Sequence, residues 1–286
     1  MAIVVNHQIA RQLRQMADVL LQQGDRGFRP TAYRRAADTV DGLKIPVSEI
    51  LSKEGMEGLI ALPTIGEGIA GAISEILATG KWAQLDRLVG SLDPEAIFQL
   101  VPGIGPQLAE RIHEGLGIDT LQQLELAAHD GRLERLQGIN RGRAAEIRGA
   151  LSELLGGLKL DHRGVAERPP IGLLLDVDAA YRRKATAGIL RVIAPRRFNP
   201  KGQAWLPVMH AEHGRWRFTA LFSNTARAHK LGRTSDWVII YSQSETAPEV
   251  QSTVVTETNG LLKGKRVVRG REPECTEHYE RADMEV

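Results

Sequence analysis

The most constraining feature of this chain is the stretch 100–112, which reads LVPGIGPQLAERI. Its two glycines favour backbone angles that other residues avoid and its two prolines fix theirs, so the Pro-Gly-x-Gly turn cannot continue as a helix. Pro106 suits the first turn of a new helix, and Leu108 and Ile112 recur at helical spacing. The sequence therefore predicts two helices joined by a tight turn, with free backbone N–H groups at the positive end of the second helix.

The same pattern occurs three times, which predicts an internal repeat. Residues 61–77 read ALPTIGEGIAGAISEIL, with Thr64 in place of the first glycine, and residues 135–148 read RLQGINRGRAAEIR, with Asn140 in place of the second. The three turns lie about 40 residues apart, a period typical of helical repeats. Amides at the start of a helix bind phosphate readily. The alternative interpretation is three helix corners without a ligand.

Composition narrows the class of protein. At 286 residues the chain is long enough for two or three domains, and its single cysteine, Cys275, fits a reducing compartment. The sequence contains neither an eighteen-residue apolar run nor a signal-peptide pattern at its start, which predicts a cytoplasmic protein with no membrane contact. The net charge of +2 hides an asymmetry, because residues 181–230 hold eleven Lys or Arg against Glu212 alone. Such a density indicates either a polyanionic partner or a solvated charged face.

Up to about residue 155 every pattern is helical. In this half FRPTAYRRAADTV precedes the first turn, ISEILATGK follows it, and LGIDTLQQLELAAHDGRLERLQGI joins the second turn to the third. In this order and at this spacing, residues 6–155 resemble the amino-terminal lyase-type and helix-hairpin-helix region of family X (beta-like) DNA polymerases. The resemblance implies a protein of DNA repair that grips the sugar-phosphate backbone of DNA without reading bases, with a monovalent cation (K⁺ or Na⁺) held by turn carbonyls.

The resemblance also implies which residues contact DNA. The phosphate-facing amides would belong to Thr64, Gly66, Gly68, Gly103, Gly105, Gln107 and Leu108. The cation would bind the carbonyls of Gln99, Val101 and Ile104. Basic or aromatic contacts are expected from Arg29, Tyr33, Arg34, Arg35, Arg141 and Arg143.

Departures from the family pattern limit the predicted chemistry. The family's lyase needs a lysine that forms a Schiff base with a sugar aldehyde, and the matching position here is Ala72. Lys53 and Lys81 are the nearby lysines that could substitute for it. A polymerase palm would need three carboxylates on neighbouring strands to hold two metal ions, and no such set is recognisable. The sequence therefore predicts neither polymerase activity nor standard lyase activity.

The second half is predicted to be an α+β domain with a mainly antiparallel sheet. The linker 159–172 would separate it from a lyase-like domain, 1–90, and a tandem helix-hairpin-helix domain, 91–158. Within 173–286 a helix is expected to begin at Asp176, followed by strands such as WRFTALF and DWVIIYS. Asp176 and Asp178 fit helix capping better than metal binding. In PRRFNPKG, Arg196 and Arg197 are expected to contact phosphates, and Phe198 a base.

The histidines and the cysteine of this half each allow two interpretations. His210 and His213, and Cys275 and His278, have zinc-like spacing, but a site with no second cysteine is weakly supported. Cys275 is either a nucleophile or a small packed residue. The first functional hypothesis is thus a non-catalytic, sequence-independent DNA-binding protein of repair or nucleoid type, acting on duplex, nicked or gapped DNA. The second is a DNA-processing enzyme, a nuclease or lyase with its active site in the carboxy-terminal domain, and the third is an interaction scaffold.

Overall fold

The computed structural model describes residues 2–91, 93–155, 168–244 and 249–284. The chain divides into two compact units, one of Met1–Val165 with Pro195–Arg197 and one of Ala166–Ala194 with Phe198–Val286. The first is helical, and the second carries a six-stranded antiparallel sheet with helices. The predicted fold class, an all-α amino-terminal half followed by an α+β domain, is confirmed.

The first unit contains nine α-helices and one 3-10 helix among its described residues. The α-helices are α1 (Ala2–Gln22), α2 (Phe28–Asp41), α3 (Val47–Ile60), α4 (Glu67–Thr79), α5 (Ala83–Val89), α6 (Pro94–Phe98), α7 (Pro106–Leu116), α8 (Leu121–His129) and α9 (Arg141–Leu154). The 3-10 helix is Leu133–Arg135. α3 is broken at Gly55, whose φ of 66° is left-handed. The turns between α3 and α4, between α6 and α7, and before α9 are the three repeats predicted from the sequence.

Amphipathic spacing builds the core of this unit. α1 buries Ile9, Leu13 and Met16 on one face, at the three- and four-residue intervals that place side chains on one side of a helix. α6 to α9 share a second core, which includes Phe98 and Ile112. These cores fix the helices, so that the turns between them remain at the surface.

One buried carboxylate interrupts the core around α8. Glu125 is 0% exposed, and neither carboxylate oxygen has a hydrogen-bond partner among the described residues. Burial raises its pKa to about 7, because removal from water disfavours the ionised form. The protonated acid is therefore the better tolerated form in the folded protein.

Glu125→Met is expected to stabilise the protein most at alkaline pH. A folded-state pKa of about 7 lies above the unfolded value, so stability is fully present below the unfolded pKa and is lost as pH rises through about 7. The difference corresponds to about 3 kcal/mol in the free energy of unfolding, at about 1.4 kcal/mol for each pKa unit. Urea unfolding of wild type and variant at pH 5 and pH 8 measures it. Equal stabilisation at both pH values would contradict this account.

The second unit is built on a meander. Its elements are α10 (Ile171–Thr186), β1 (Arg191–Ile193), β2 (Leu206–His213), β3 (Trp216–Phe222), α11 (Ala226–Lys230), β4 (Val238–Gln243), β5 (Val250–Thr256), β6 (Arg266–Val268) and α12 (Glu272–Met284). The strands lie in sequence order and each pair is antiparallel. The main core joins α10 and α12 to one set of sheet side chains, including Phe218 and Ile240. A smaller cluster contains Leu221, Ile239 and Tyr241. Ile239 and Tyr241 flank Ile240 on β4, and side chains of successive strand residues point to opposite faces of a sheet, so this cluster lies on the other face.

The prediction for α10 was wrong in its starting residue. The helix begins at Ile171 after Pro170, so Asp178 lies in its middle and does not cap it. Asp178 is 1% exposed and accepts two hydrogen bonds from the Arg266 guanidinium, of 2.9 and 2.7 Å. The same guanidinium donates to Asp236 at 2.8 Å. These acids are thus part of an internal ion-pair network between α10 and the sheet.

Most of the predicted linker, 159–172, lies outside the described residues. Its described part includes Ile171, the first residue of α10. The predicted division of the first half near residue 90 stays a prediction. None of the helices described is both long and apolar enough to cross a membrane.

Candidate nucleic-acid interface

The three turns share one backbone geometry. In each, an isoleucine N–H donates to the carbonyl three residues earlier: Ile65 to Leu62 at 3.2 Å, Ile104 to Val101 at 3.1 Å, and Ile139 to Leu136 at 3.1 Å. The three isoleucines are buried. Each turn is therefore anchored by one apolar side chain, which leaves the neighbouring backbone at the surface. Below, the turns are called hairpin 1 (62–66), hairpin 2 (101–105) and hairpin 3 (136–140).

Each hairpin contains one residue with a left-handed backbone. Gly103 and Gly138 have φ of 86° and 84°, and Thr64 has φ of 66° at the matching position. A β-branched residue is rare in this region, which costs about 1–3 kcal/mol for a residue other than glycine. The Thr64 hydroxyl lies 2.9 Å from that of Thr39 in α2, a hydrogen bond that helps to hold the strained turn. Hairpin 1 thus keeps the geometry of the other two without the glycine.

Hairpins 1 and 2 lead into helices that no side chain caps. The N-cap residues are Gly66 and Gly105, both extended, with φ of −91° and −88°. In the described part of the chain, no acceptor takes the N–H groups of Gly66, Gly68, Gly105 or Gln107. Unpaired amides at an exposed helix start attract anions, because the helix dipole is positive there. These four amides lie where the sequence predicted phosphate contacts.

The other three predicted amides differ in their surroundings. The Leu108 N–H already donates to the Gly105 carbonyl at 3.1 Å, and Leu108 itself is buried. Thr64 and Gly103 are exposed at the tips of their hairpins. Any phosphate bound at hairpin 2 would thus meet Gly103, Gly105 and Gln107 before Leu108.

Hairpin 3 is closed by its own side chain. The Asn140 Oδ1 oxygen accepts the Arg143 N–H at 2.9 Å, which is the usual role of an asparagine N-cap. A Cβ atom placed on Gly142 would lie 3.4 Å from the same oxygen, so the asparagine covers the start of α9. An anion approaching this helix would meet an acceptor oxygen. Of the three repeats, only hairpins 1 and 2 therefore present an open anion site.

Two arginines tie hairpins 2 and 3 together. The Arg143 guanidinium donates to the Gly103 carbonyl at 3.2 Å, and Arg111 of α7 donates to the Gln137 carbonyl at 2.6 Å. One bond runs from the helix after hairpin 3 to hairpin 2, and the other runs from the helix after hairpin 2 to hairpin 3. Together they fix the position of one turn relative to the other. Arg111 was not singled out from the sequence, because nothing local shows that its side chain reaches residue 137.

Arg29 and Tyr33, two of the predicted DNA contacts, are buried. Arg29 is 6% exposed, and its guanidinium lies 2.6 Å from the Asp25 carboxylate. Tyr33 is 5% exposed, stacks edge-on against Trp82, and its hydroxyl donates to Gln84 at 3.4 Å. Contact of Arg29 and Tyr33 with DNA stays a prediction, and the proposal below does not depend on it.

The other predicted basic contacts on the helical unit are at the surface. Arg34 is exposed and pairs with Asp18 at 2.9 Å, and Arg35 is exposed. The Arg141 side chain is 95% exposed, with Glu134 3.7 Å away. Exposed ion pairs contribute little, so these side chains can exchange a carboxylate for a phosphate at small cost.

Arg196 and Arg197 cluster with the first unit and differ in environment. Arg196 is exposed, whereas Arg197 donates to Glu95 at 2.8 Å and lies 3.7 Å from Glu114. The possible ligand atoms of Glu95, His113 and Glu114 lie within 4.8 Å of one another, a grouping that could hold a cation. The Arg197 guanidinium pairs with both of these carboxylates and offsets part of their negative charge.

The monovalent-cation prediction depends on carbonyls of hairpin 2. The Val101 carbonyl accepts the Ile104 N–H, and the carbonyls of Gln99 and Ile104 receive none of the turn's backbone hydrogen bonds. Gln99 is the C-cap of α6, and carbonyls at a helix end favour a cation. Binding of a monovalent ion at these carbonyls stays a prediction.

Three residues considered in connection with catalysis are either buried or paired with another side chain. Ala72, at the position where the resemblance implied a lysine, is buried, and Lys53 pairs with Glu49 at 2.6 Å. Cys275 is 0% exposed, accepts the Val268 N–H at 3.3 Å, and burial raises its thiol pKa. These observations favour the packed-residue interpretation of Cys275 over a nucleophile.

Neither the His210–His213 pair nor the Cys275–His278 pair belongs to a group of three possible metal ligands among the described residues. His210 lies on β2 with its Nδ1 atom 3.1 Å from the Thr219 hydroxyl, and His213 stacks edge-on against Phe218. His278 stacks against its neighbour Tyr279.

Repeated helix–turn–helix units with a buried isoleucine in each turn, two of them with a glycine N-cap on the second helix, are typical of the helix-hairpin-helix class. Residues 4–82 match the family described as helix-hairpin-helix domain, and residues 95–153 match the SAM-like helix-hairpin-helix tandem. The second match covers hairpins 2 and 3 together with the arginines that join them. No curated protein matches the chain significantly. A helix-hairpin-helix region is thus shown, and such domains imply DNA binding.

Proposed function

We propose that this chain is a sequence-independent DNA-binding protein of DNA-repair type, which grips duplex DNA beside nicks or gaps. It resembles the DNA-gripping part of family X polymerases and works without polymerase or standard lyase catalysis. Hairpins 1 and 2 hold two positions of the sugar-phosphate backbone through main-chain amides. Hairpin 3 braces hairpin 2 and adds the side chain of Arg141.

The observation that carries this proposal is the contrast among the three N-caps. Gly66 and Gly105 leave the helix starts open, whereas Asn140 closes the third with its own oxygen. If the turns were only helix corners, a capping side chain would stabilise every one of them, because Asn, Asp and Ser are better caps than glycine. Glycine at two exposed positions is favoured where another backbone or a phosphate must approach closely.

Recognition through amides explains why no base preference is expected. Contacts to phosphate position a protein on DNA without carrying sequence information. The basic side chains Arg34, Arg35, Arg141 and Arg196 add attraction to the polyanion. A monovalent cation at the carbonyls of Gln99, Val101 and Ile104 would bring a further positive charge to hairpin 2.

The affinity for a gapped duplex is expected to fall at least about tenfold when KCl rises from about 50 to about 200 mM. Neutralising phosphates releases condensed counterions, which makes binding strongly dependent on salt. Fluorescence anisotropy with a labelled gapped duplex measures the effect. A second duplex of the same length and scrambled sequence serves as the control and should bind within about twofold.

An affinity that does not respond to KCl, or a wild-type chain that binds no DNA at low salt, would refute this function. Either result would favour the interaction scaffold, in which the hairpins have kept their fold without a nucleic-acid ligand.

A further inference from the structure

Three aromatic rings meet at the surface of the second unit, outside the hairpins. Phe198, in the loop before β2, lies with its ring centroid 4.6 Å from that of His229 in α11, at an angle of 38°. Trp205, at the end of the same loop, packs edge-on against His229 at 6.2 Å. Phe198 is 45% exposed, so one part of its ring contacts His229 and another part faces solvent. We call Phe198, Trp205 and His229 the aromatic platform.

The backbone at Phe198 is strained. Its φ is 52°, and Phe198 and Thr64 are the two non-glycine residues with positive φ among the described residues. The loop is held in this shape by Asn199, whose side chain donates to the Gln203 carbonyl at 2.8 Å and accepts the Gln203 N–H at 3.1 Å. A glycine would fit the backbone better, and a half-exposed ring gains little from burial. Strain that packing does not explain is typical of binding sites.

The sequence segment that contains the platform is rich in positive charge. Between residues 198 and 235 there are six Lys or Arg against Glu212 alone. Lys201 follows Phe198 in the loop, and Lys230 is next to His229. Both lysines are exposed, and neither forms an ion pair with another described residue. Aromatic faces flanked by free ammonium groups fit the alternation of bases and phosphates in single-stranded nucleic acid.

We propose that the aromatic platform binds unpaired DNA, with a base stacked on Phe198 and flanking phosphates near Lys201 and Lys230. Bases inside a duplex stack on each other and hide their faces, so a protruding ring is useful only where a base is unpaired. This inference deepens the proposed function and rests on it, because it assigns the single-stranded part of a gapped substrate to the second unit. The duplex part is held by the hairpins.

The test uses the full chain and two labelled DNAs: an intact duplex and the same duplex with a gap of about five nucleotides, within the site size of such grooves. Phe198→Ala is expected to weaken binding to the gapped duplex about tenfold, the effect of losing one stacked base. Its affinity for intact duplex should stay within about twofold of wild type. Phe198→Trp keeps a stacking ring and should restore most of the affinity for the gapped duplex.

Leu261→Ala is the matched control, since Leu261 is an apolar residue of the same unit, 93% exposed, in the turn between β5 and β6. It should bind both DNAs like wild type. The platform is refuted if Phe198→Ala binds the gapped duplex like wild type, or if it weakens both DNAs equally. When the wild-type chain still binds both DNAs, these results leave the hairpin function standing. A wild-type chain that binds neither DNA refutes both.

Discussion

Gly105→Asp is expected to weaken binding to duplex DNA about 100-fold and to leave the thermal stability of the protein unchanged or higher. A lost amide–phosphate hydrogen bond and the repulsion of a carboxylate at that place together correspond to about 3 kcal/mol. The backbone tolerates the change, because Gly105 has an ordinary φ of −88° and a Cβ there would meet nothing within 4 Å. Aspartate is a good N-cap, and its carboxylate would take the place that Asn140 Oδ1 takes in hairpin 3.

The matched control is Gly149→Asp. Gly149 is exposed, lies in α9 well past the helix start, and also has open space around its Cβ position. The substitution adds the same charge to the same unit without touching a hairpin amide. Binding by anisotropy at low salt and melting by calorimetry compare the two variants. If Gly149→Asp loses as much affinity as Gly105→Asp, general charge repulsion explains the loss and the amide account is wrong.

The largest loss of stability is expected from Asp119→Ala. The Arg87 guanidinium donates to both carboxylate oxygens of Asp119, at 3.2 and 3.0 Å, and both side chains are almost fully buried. Removing the carboxylate leaves a charge in the core, which costs about 3–5 kcal/mol in the free energy of unfolding. The pair joins α5 to the segment that leads into α8, two residues before the helix begins.

Two controls separate burial from charge in this experiment. Asp18→Ala breaks the exposed pair with Arg34 and should cost less than about 1 kcal/mol. The double variant Arg87→Leu with Asp119→Leu removes both charges and should be more stable than Asp119→Ala alone. Urea unfolding measures all three. A cost for Asp119→Ala no greater than that for Asp18→Ala would contradict the assigned role of the buried pair.

Local chemistry made the repeats predictable. Glycine and proline restrict the backbone wherever they occur, so the turns and the helix starts at Gly66 and Gly105 could be located without knowledge of the fold. The capping role of Asn140 also follows from a local rule, because asparagine at an N-cap accepts an amide three residues later. From the sequence, Asn140 was interpreted only as a replacement for glycine, so the closure of hairpin 3 was not predicted.

Long-range pairing could not be predicted in the same way. Asp178 and Arg266 lie 88 residues apart in the sequence, and only the packing of α10 on the sheet brings them together. Without that pairing, the closely spaced acids Asp176 and Asp178 suggested the start of a helix. The helix actually begins directly after Pro170. The pairing of buried Arg29 with Asp25 was missed for a related reason: the sequence alone does not show whether a basic side chain is exposed or already paired with a carboxylate.

Amide resonances of the hairpin glycines test the central claim most directly. In a protein labelled with ¹⁵N-glycine, addition of a short gapped duplex should shift the N–H signals of Gly66, Gly68, Gly103 and Gly105, and leave Gly149 and Gly214 in place. Hydrogen bonding to phosphate acts on these protons themselves, so the shifts do not depend on any substitution. Saturating DNA that shifts other glycine signals while those four stay unchanged would contradict the account.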